Sequence, residues 1–223
     1  MGLWIPITLA AAAFQTVRFM LQKVLATATL SAAGATFSRF LYSLPFIWIL
    51  LAGYVGLQGG GLPQIGAGFW TFGLIGATAQ ICATVCVGRL FKERNFAVGI
   101  TFKKTEVIQT ALVGWIVLGE GVTPLGLLAI GLGVVALLLL SGGKETGGIK
   151  LAHVRNRAAG LGIASGVLFA FSAVSYRAAS LAVLTEDPLM RASVTLAAVV
   201  AMQTVIMVVW LSLRAPGQLA AVW

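Results

Sequence analysis

The stretch "FKKTEVIQTALVGWIVLGE", Phe102–Glu120, is a long apolar run that carries Lys103, Lys104 and Glu106 close together. In a soluble helix such charges would be ordinary, but in the core of a lipid bilayer they are costly and are usually functional. The fold therefore depends on whether water or lipid surrounds this segment, and the composition of the chain decides between the two.

The composition indicates a membrane protein. The chain has 223 residues, of which 59% are hydrophobic and 9% are charged, whereas an average soluble domain has roughly 25% charged residues. A bilayer core about 30 Å thick requires about 20 mostly apolar residues per helix. The sequence predicts seven such spans, at 3–22, 37–56, 69–91, 96–118, 123–141, 158–180 and 192–213. The expected fold class is an all-α integral membrane protein.

Several function classes do not fit this pattern. The net charge of +9 is spread among the spans, whereas nucleic-acid binding needs a contiguous basic surface, so we expect no nucleic-acid partner. Cys82 and Cys86 lie four apart on one helix face and are interpreted as packing residues rather than as a disulfide or a metal site. The spans contain no metal-ligand cluster, phosphate loop or aspartate pair. We therefore expect no enzyme activity, no metal and no cofactor.

The sequence contains an internal repeat. The motif "GLPQIGAGFW" (Gly61–Trp70) follows the second span, and "RAPGQLAAVW" (Arg214–Trp223) follows the seventh at an offset of 153 residues. Arg39 opens the second predicted span as Arg191 opens the seventh. Spans six and seven therefore restart the pattern of spans one and two. A unit of five helices crosses the membrane an odd number of times. Its second copy therefore enters the membrane from the opposite side, as in the inverted repeats of secondary transporters.

The repeat predicts how the chain is organised. Residues 1–141 form the first five-helix repeat, residues 142–157 form a connector, and residues 158–223 form the first two helices of a second repeat. Seven helices of an expected ten are then present. We expect the chain to be incomplete at its C-terminus and to lack three spans.

One segment carries a family resemblance. In "VLGEGVTPLGLLAIGLGVVALLLL" (Val117–Leu140), Leu-Gly-Glu ends a helix before a short turn and a Gly-spaced helix, and Arg39 follows "AAGATFS". These features resemble the EamA-like branch of the drug/metabolite transporter superfamily. The resemblance implies two five-helix repeats around a central substrate path, in the cytoplasmic (inner) membrane of a bacterium. The chain departs from the family by having "KKTEVIQ" in the fourth span, where the family usually has a proline.

The spaced glycines of the fifth span are expected to allow close approach of a neighbouring helix: Gly126, Gly131 and Gly133.

The fourth span carries the first set of candidate site residues. Positions three or four apart share a helix face, so Lys103, Glu106 and Thr110 form one stripe with Gln109 beside it. Glu106 lies about 15 Å along the span, near the middle of the membrane. Either the Lys103–Glu106 pair only fixes helix packing, or the stripe lines a water-filled cavity and binds substrate or protons. The second interpretation is favoured because apolar packing would hold the helices without a desolvation cost.

The first span carries a matching set. Gln15, Arg18 and Gln22 are spaced three and four apart and face one direction, so we expect them to bind substrate together with Lys103, Glu106 and Thr110. The candidate cations outnumber the one carboxylate: Arg18, Lys103, Lys104 and Arg177. An excess of positive charge favours an anionic or zwitterionic, carboxylate-bearing solute. Glu106 is also the candidate for proton coupling, since ionisable groups inside transport paths often serve as proton relays.

The charged connectors indicate one orientation of the chain in the membrane, and the family resemblance implies the opposite one. Basic residues in the connectors after spans three, five and seven fall on one side: Arg89, Lys92, Arg94, Lys144, Lys150, Arg155, Arg157 and Arg214. The positive-inside rule places that side in the cytoplasm and the N-terminus outside, whereas the resemblance implies a cytoplasmic N-terminus. Both orientations stay open.

The expected function is secondary transport of a small metabolite, with that small-molecule substrate and the lipid bilayer as partners. The alternative from a different class is a non-transporting membrane fragment or partner subunit. Transport activity would separate the two. A homodimer is an open alternative for the assembly.

Overall fold

The computed structural model describes residues 4–28, 30–93, 96–119, 121–141 and 157–222. This part of the chain is almost entirely helical. Its elements are α1 (Trp4–Ala28), α2 (Ala32–Gln58), β1 (Gln64–Ile65), α3 (Phe69–Leu90), α4 (Phe96–Lys103), α5 (Glu106–Leu118), α6 (Pro124–Ser141), α7 (Arg157–Leu181), β2 (Val183–Leu184), α8 (Pro188–Arg214) and α9 (Pro216–Ala221). Glu120 and all of the expected connector except Arg157 lie outside the described residues.

Four helices are long and apolar enough to cross a bilayer. They are α2, α3, α7 and α8, and two shorter apolar helices cover Glu106–Leu118 and Pro124–Ala136. Helices of this length and composition are compatible with a membrane protein. The count of seven spans stays a prediction.

The fourth predicted span is not one helix. The chain turns at Lys104 and Thr105, between the end of α4 and the start of α5. The amide and the hydroxyl of Thr105 both donate to the carbonyl of Phe102, at 3.1 and 2.6 Å. The Thr105 amide thus donates to the carbonyl three residues back, whereas an α-helix would use the carbonyl four residues back. The hydroxyl of Thr105 donates to the same carbonyl, and side-chain hydrogen bonds of this kind compete with regular helix formation. The prediction of a continuous helix over 96–118 was wrong at this turn.

α7 lies at the centre of the bundle and packs against α3, α4 and α5. Its buried face consists largely of small side chains: Ala158, Ala159, Gly162, Ser165, Gly166 and Ala170. A β-carbon on Gly162 would lie 2.1 Å from the carbonyl oxygen of Gly99 in α4. The backbones of α4 and α7 therefore touch at this crossing, as small residues allow in membrane helices.

The glycines of α6 do not have this role. A β-carbon on Gly131 or Gly133 would meet no atom within 4 Å, and one on Gly126 would meet only Val122 and Thr123 of the preceding turn. The expectation that these glycines admit a neighbouring helix was therefore wrong for the described residues. The close approach is made by α7, whose small residues are spread over a long face.

Short connections fix one end of α2 against α8. β1 pairs antiparallel with β2, with Gln64 opposite Leu184 and Ile65 opposite Val183. Beside this ladder, the Tyr54 hydroxyl donates to Asp187 Oδ2 at 2.5 Å. We call the ladder and this hydrogen bond the β clasp. It places the end of α2 beside the start of α8.

The other end is fixed by the segment that follows α8. The amide of Ser31 donates to Oε1 of Gln218 in α9 at 2.7 Å, and the Tyr42 hydroxyl donates to the carbonyl of Val222 at 2.6 Å. The start of α2 and the end of α8 therefore lie together, so the two helices run antiparallel. α2 and α8 correspond to the second and seventh predicted spans, and the topology of seven spans stays a prediction.

Candidate functional site

Lys103 and Glu106 meet at the turn between α4 and α5. Lys103 Nζ donates to Glu106 Oε2 at 2.6 Å, and Lys103 is only 7% exposed. The same ammonium lies 4.7 Å from the ring centre of Phe169 in α7 and 5.5 Å from that of Phe19 in α1. Aromatic faces attract cations, so the lysine is enclosed by one carboxylate and two rings from three other helices.

Two arginines extend this cluster towards α1 and α2. Arg18 interacts electrostatically with Glu106, and Arg39 interacts with both Arg18 and Tyr176. Each guanidinium also lies over the ring of the next residue, at 4.6 Å from Phe19 and 5.1 Å from Phe40. In the part of the chain that the structure describes, neither arginine forms an ion pair. Three cations and one carboxylate thus share one region of the bundle.

Several buried polar atoms on the helices that carry these charges have no hydrogen-bond partner among the described residues. They are Arg18 Nε, Arg39 Nη1, Gln22 Nε2, Gln22 Oε1 and Gln109 Oε1. Gln22 is only 3% exposed. Each unpaired buried group costs about 1–3 kcal/mol, and such groups in native proteins call for a specific explanation. A polar ligand with acceptor oxygens would match the unpaired donors. We call Arg18, Gln22, Arg39, Lys103, Glu106 and Gln109 the cationic cluster.

The remaining predicted site residues lie elsewhere. Gln15 is on the exposed surface of α1, and Lys104 is exposed next to the buried Lys103. The Thr110 hydroxyl donates to the carbonyl of Glu106 in its own helix at 2.8 Å. Thr110 also lines a separate cavity of about 410 Å³ together with Arg177. Of the six predicted substrate ligands, the structure brings Arg18, Lys103 and Glu106 together. Gln22 is buried one turn after Arg18 on α1.

Sequence reasoning missed polar residues on α3, α7 and α8. Gln203 Nε2 donates to the Tyr176 hydroxyl at 2.8 Å, and the Ser172 hydroxyl donates to Gln80 Oε1 at 3.2 Å. A β-carbon on Gly76 would lie 2.6 Å from the Tyr176 ring, so this glycine makes room for the tyrosine. The sequence did contain a signal for these residues, because glutamine and tyrosine are polar and lie inside apolar spans. They continue the polar interior from Arg39 across the bundle.

A larger cavity than the one beside Thr110 lies at a different place. It has a volume of about 770 Å³ and lies between α2, α3 and α8. None of the predicted site residues lines it. Size alone therefore does not identify the cationic cluster, which is defined by its charges and unpaired polar atoms.

No protein-family model, curated protein or solved structure matches the chain. The likeness to the drug/metabolite transporters thus rests on the residues of the sequence alone.

Proposed function

We propose that the chain is a secondary transporter for a small, carboxylate-bearing metabolite and works in the cytoplasmic membrane. The observation that carries this proposal is the cationic cluster, in which three cations face one carboxylate inside an apolar helical bundle. Ionisable residues within membrane helices commonly mark a substrate path. An excess of positive charge at low dielectric attracts anions and repels cations.

The two arginines are the substrate-binding cations. Lys103 is already neutralised by Glu106, whereas Arg18 and Arg39 form no ion pair within the described residues. A guanidinium donates two parallel hydrogen bonds to one carboxylate. Gln22 and Gln109 supply neutral hydrogen-bonding groups beside them. The site would therefore accept an anion or a zwitterion and disfavour a cationic drug.

The interrupted helix supports a transport role. In transporters, substrate sites are typically built on helices that break near the middle of the membrane, and broken backbone is tolerated there when it lines a cavity. The turn between α4 and α5 carries the Lys103–Glu106 pair at such a break. Glu106 is the candidate for proton coupling at this break, since ionisable groups inside transport paths often serve as proton relays.

Helix lengths support the inverted repeat of the drug/metabolite transporter type. α1 and α7 each have 25 residues, and they begin at Trp4 and Arg157, the same separation as the two repeated motifs. α2 and α8 each have 27 residues. Because α2 and α8 run antiparallel, they have the relation that two copies of opposite orientation would have.

Uptake into proteoliposomes tests the proposed substrate class. The 223-residue chain is reconstituted, and uptake of radiolabelled succinate, alanine and tetraphenylphosphonium is measured. We expect uptake of the carboxylate-bearing solutes and none of the lipophilic cation above protein-free vesicles. Arg18→Gln and Arg39→Gln should each lower the uptake about tenfold or more, because each removes a charge-assisted hydrogen bond.

Lys104→Gln is the matched control for this experiment. It removes a cation next to Lys103 but from the exposed surface, so uptake should stay at the wild-type rate. Uptake of tetraphenylphosphonium alone, or equal loss in the control, would contradict the proposal. If no solute enters, the alternative of a non-transporting subunit is favoured.

Proton coupling is tested separately at Glu106. We expect Glu106→Gln to abolish the response of uptake to an imposed pH gradient, since the amide cannot exchange the proton. Counterflow of bound substrate, which needs no proton movement, serves as the control for a folded site. Full dependence on the pH gradient in Glu106→Gln would remove proton coupling from the proposal.

A further inference from the structure

The cavity of about 770 Å³ is a groove with apolar walls. α3 contributes residues three and four apart, which form one face of the helix: Thr78, Ile81, Cys82, Val85, Cys86 and Arg89. Ile206, Met207 and Trp210 of α8 form the opposite wall. The groove is thus a strip of hydrophobic surface between two of the helices long enough to span a bilayer.

One end of the groove is basic. Arg89 lies in the last turn of α3, and Lys92 lies in the turn that follows. Both side chains are exposed, and neither forms an ion pair in the described ranges. The neighbouring carboxylate, Glu93, is instead paired with Arg157 at 3.4 Å. Two cations are therefore available at this end.

The length of the groove corresponds to one leaflet. Thr78 precedes Arg89 by eleven residues, which is about 16 Å at 1.5 Å per residue. Half of a bilayer core about 30 Å thick is about 15 Å. With the basic end of α3 at a membrane surface, a groove of this length would reach about the middle of the membrane.

We propose that this groove binds one anionic phospholipid from the bilayer. Arg89 and Lys92 bind the phosphate, and an acyl chain lies along Ile81, Val85 and Trp210. Basic pockets between membrane helices are suited to acidic lipid head groups, and the apolar walls match the chain. Tryptophan also favours the membrane interface. The site shares no residue with the cationic cluster, so it is independent of the proposed transport function.

Native mass spectrometry of the detergent-solubilised chain tests the head-group contact. The chain is titrated with phosphatidylglycerol or phosphatidylcholine, and the apparent dissociation constants for the first bound lipid are compared. Two basic residues near the phosphate should favour phosphatidylglycerol about tenfold. Arg89→Gln combined with Lys92→Gln should reduce its affinity to that of phosphatidylcholine. Equal affinities in the wild type would overturn the proposal.

The matched control removes two other exposed cations. Lys104→Gln combined with Arg214→Gln changes the net charge by the same amount, and neither residue lines the groove. This variant should keep the wild-type preference for phosphatidylglycerol. If both double variants lost this preference equally, lipid preference would follow net charge, and the proposed site would be contradicted.

Photo-crosslinking tests the position of the acyl chain without any substitution. A phosphatidylglycerol with a diazirine in one chain is incorporated into vesicles with the protein, and the labelled peptides are identified. We expect labels on residues 78–86 of α3 and 206–210 of α8. Labels only on other helices would contradict the proposal. In a parallel sample treated with a mild oxidant, a disulfide between the Cys82 residues of two copies, with no lipid labelling of the groove, would assign the groove to a second copy of the chain instead.

Discussion

Lys103 is a buried cation whose ammonium lies 2.6 Å from Glu106 Oε2. Breaking a buried ion pair typically costs about 3–5 kcal/mol, because the remaining charge is left without a partner. Glu106 is partly exposed, so we expect Glu106→Gln to lower the free energy of unfolding by about 3 kcal/mol, at the low end of that range. Thermal unfolding in detergent measures the loss. Replacing both residues, Lys103→Met with Glu106→Leu, should recover most of it.

The neighbouring Lys104 provides the comparison. Lys104→Met removes an exposed charge and should leave the melting temperature almost unchanged, since surface charges contribute little. If Glu106→Gln instead has the same melting temperature as the wild type, water in the cavity solvates Lys103 and the ion pair does not stabilise the fold.

The residues of the cationic cluster differ in how well the sequence predicted them. Lys103 and Glu106 were predictable as a pair because three-residue spacing places them on one side of a short segment. The same rule grouped Gln15 with Arg18 and Gln22, yet Gln15 is exposed. Spacing defines a face of a helix, but it does not say what that face contacts. Arg39 approaches Arg18 only through the packing of separate helices, which spacing cannot predict.

The crossing of α4 and α7 predicts that one added methyl group lowers the stability of the fold. A β-carbon on Gly162 would lie 2.1 Å from the Gly99 carbonyl oxygen, so Gly162→Ala forces the two backbones apart. Overpacking of this kind costs about 1–3 kcal/mol. We expect a lower melting temperature in detergent and a larger fraction of aggregated protein in size-exclusion chromatography.

Gly160 is the matched control in the same helix. A β-carbon there would meet no atom within 4 Å, so Gly160→Ala should be neutral or stabilising by up to about 1 kcal/mol through helix propensity. Equal melting temperatures for the two variants would show that α4 and α7 do not touch at Gly162.

The β clasp predicts a dependence of stability on pH. The hydrogen bond from Tyr54 is the largest cause that holds the pKa of Asp187 below its usual value. Burial opposes it, and the amides of Leu189 and Met190 lower the pKa further by smaller amounts. A lowered carboxyl pKa stabilises the fold above its ordinary pKa of about 4, and this stabilisation is lost as pH falls through the lowered value. Tyr54→Phe should therefore reduce the melting temperature by a constant amount between about pH 5 and 8, and the difference should close below about pH 4.

Tyr42→Phe separates this effect from the loss of a tyrosine hydroxyl in general. Tyr42 donates to the carbonyl of Val222, which does not titrate in this range. Its effect on the melting temperature should stay the same across the whole pH range. A constant difference for Tyr54→Phe down to about pH 3 would contradict the role given to Asp187.

The limits of element prediction have physical causes. The apolar runs predicted where helices occur, because burial in lipid requires about 20 apolar residues per span. The break at Thr105 depends on a side-chain hydrogen bond to Phe102, which hydrophobic periodicity does not register. The glycines of α6 were regularly spaced but lie in open surroundings. The packing face of α7 is instead defined by alanine, serine and glycine together.

The β clasp also predicts a specific cross-link between distant parts of the chain. Gln64 lies directly opposite Leu184, and paired residues of antiparallel strands have Cα atoms about 4.5–5.5 Å apart, within the range of a disulfide. Gln64→Cys with Leu184→Cys, in a chain with Cys82 and Cys86 replaced by serine, should form a disulfide on mild oxidation. A shift in gel mobility that dithiothreitol reverses measures it.

A second pair tests whether the cross-link reports the topology. Gln64→Cys with Gln218→Cys places the thiols at opposite ends of α2 and should give no intramolecular disulfide. Cross-linking of this control, or none in the first pair, would contradict the alternation of helix ends from α2 to α9.

Composition predicted the class of the molecule better than its internal arrangement. The low content of charged residues predicted an apolar helical chain, and the described residues are helical with four helices able to span a bilayer. The ends of α2 and α8 that lie together are those joined by the β clasp and by the contacts of α9, and the seven-span topology stays a prediction. The packing order within the bundle could not be predicted, because apolar helices in lipid associate through local shape rather than through a pattern of polarity.

The connections at both ends of α2 and α8 have a consequence for motion. The β clasp holds one end of this pair and the contacts of α9 hold the other, so sliding of α2 along α8 would break hydrogen bonds at both ends. Hinges in proteins form at a few residues at the termini of elements, and the turn at Lys104 and Thr105 is such a place. Under the proposed transport function, alternating access would come from α5 swinging about this hinge while α2 and α8 stay fixed.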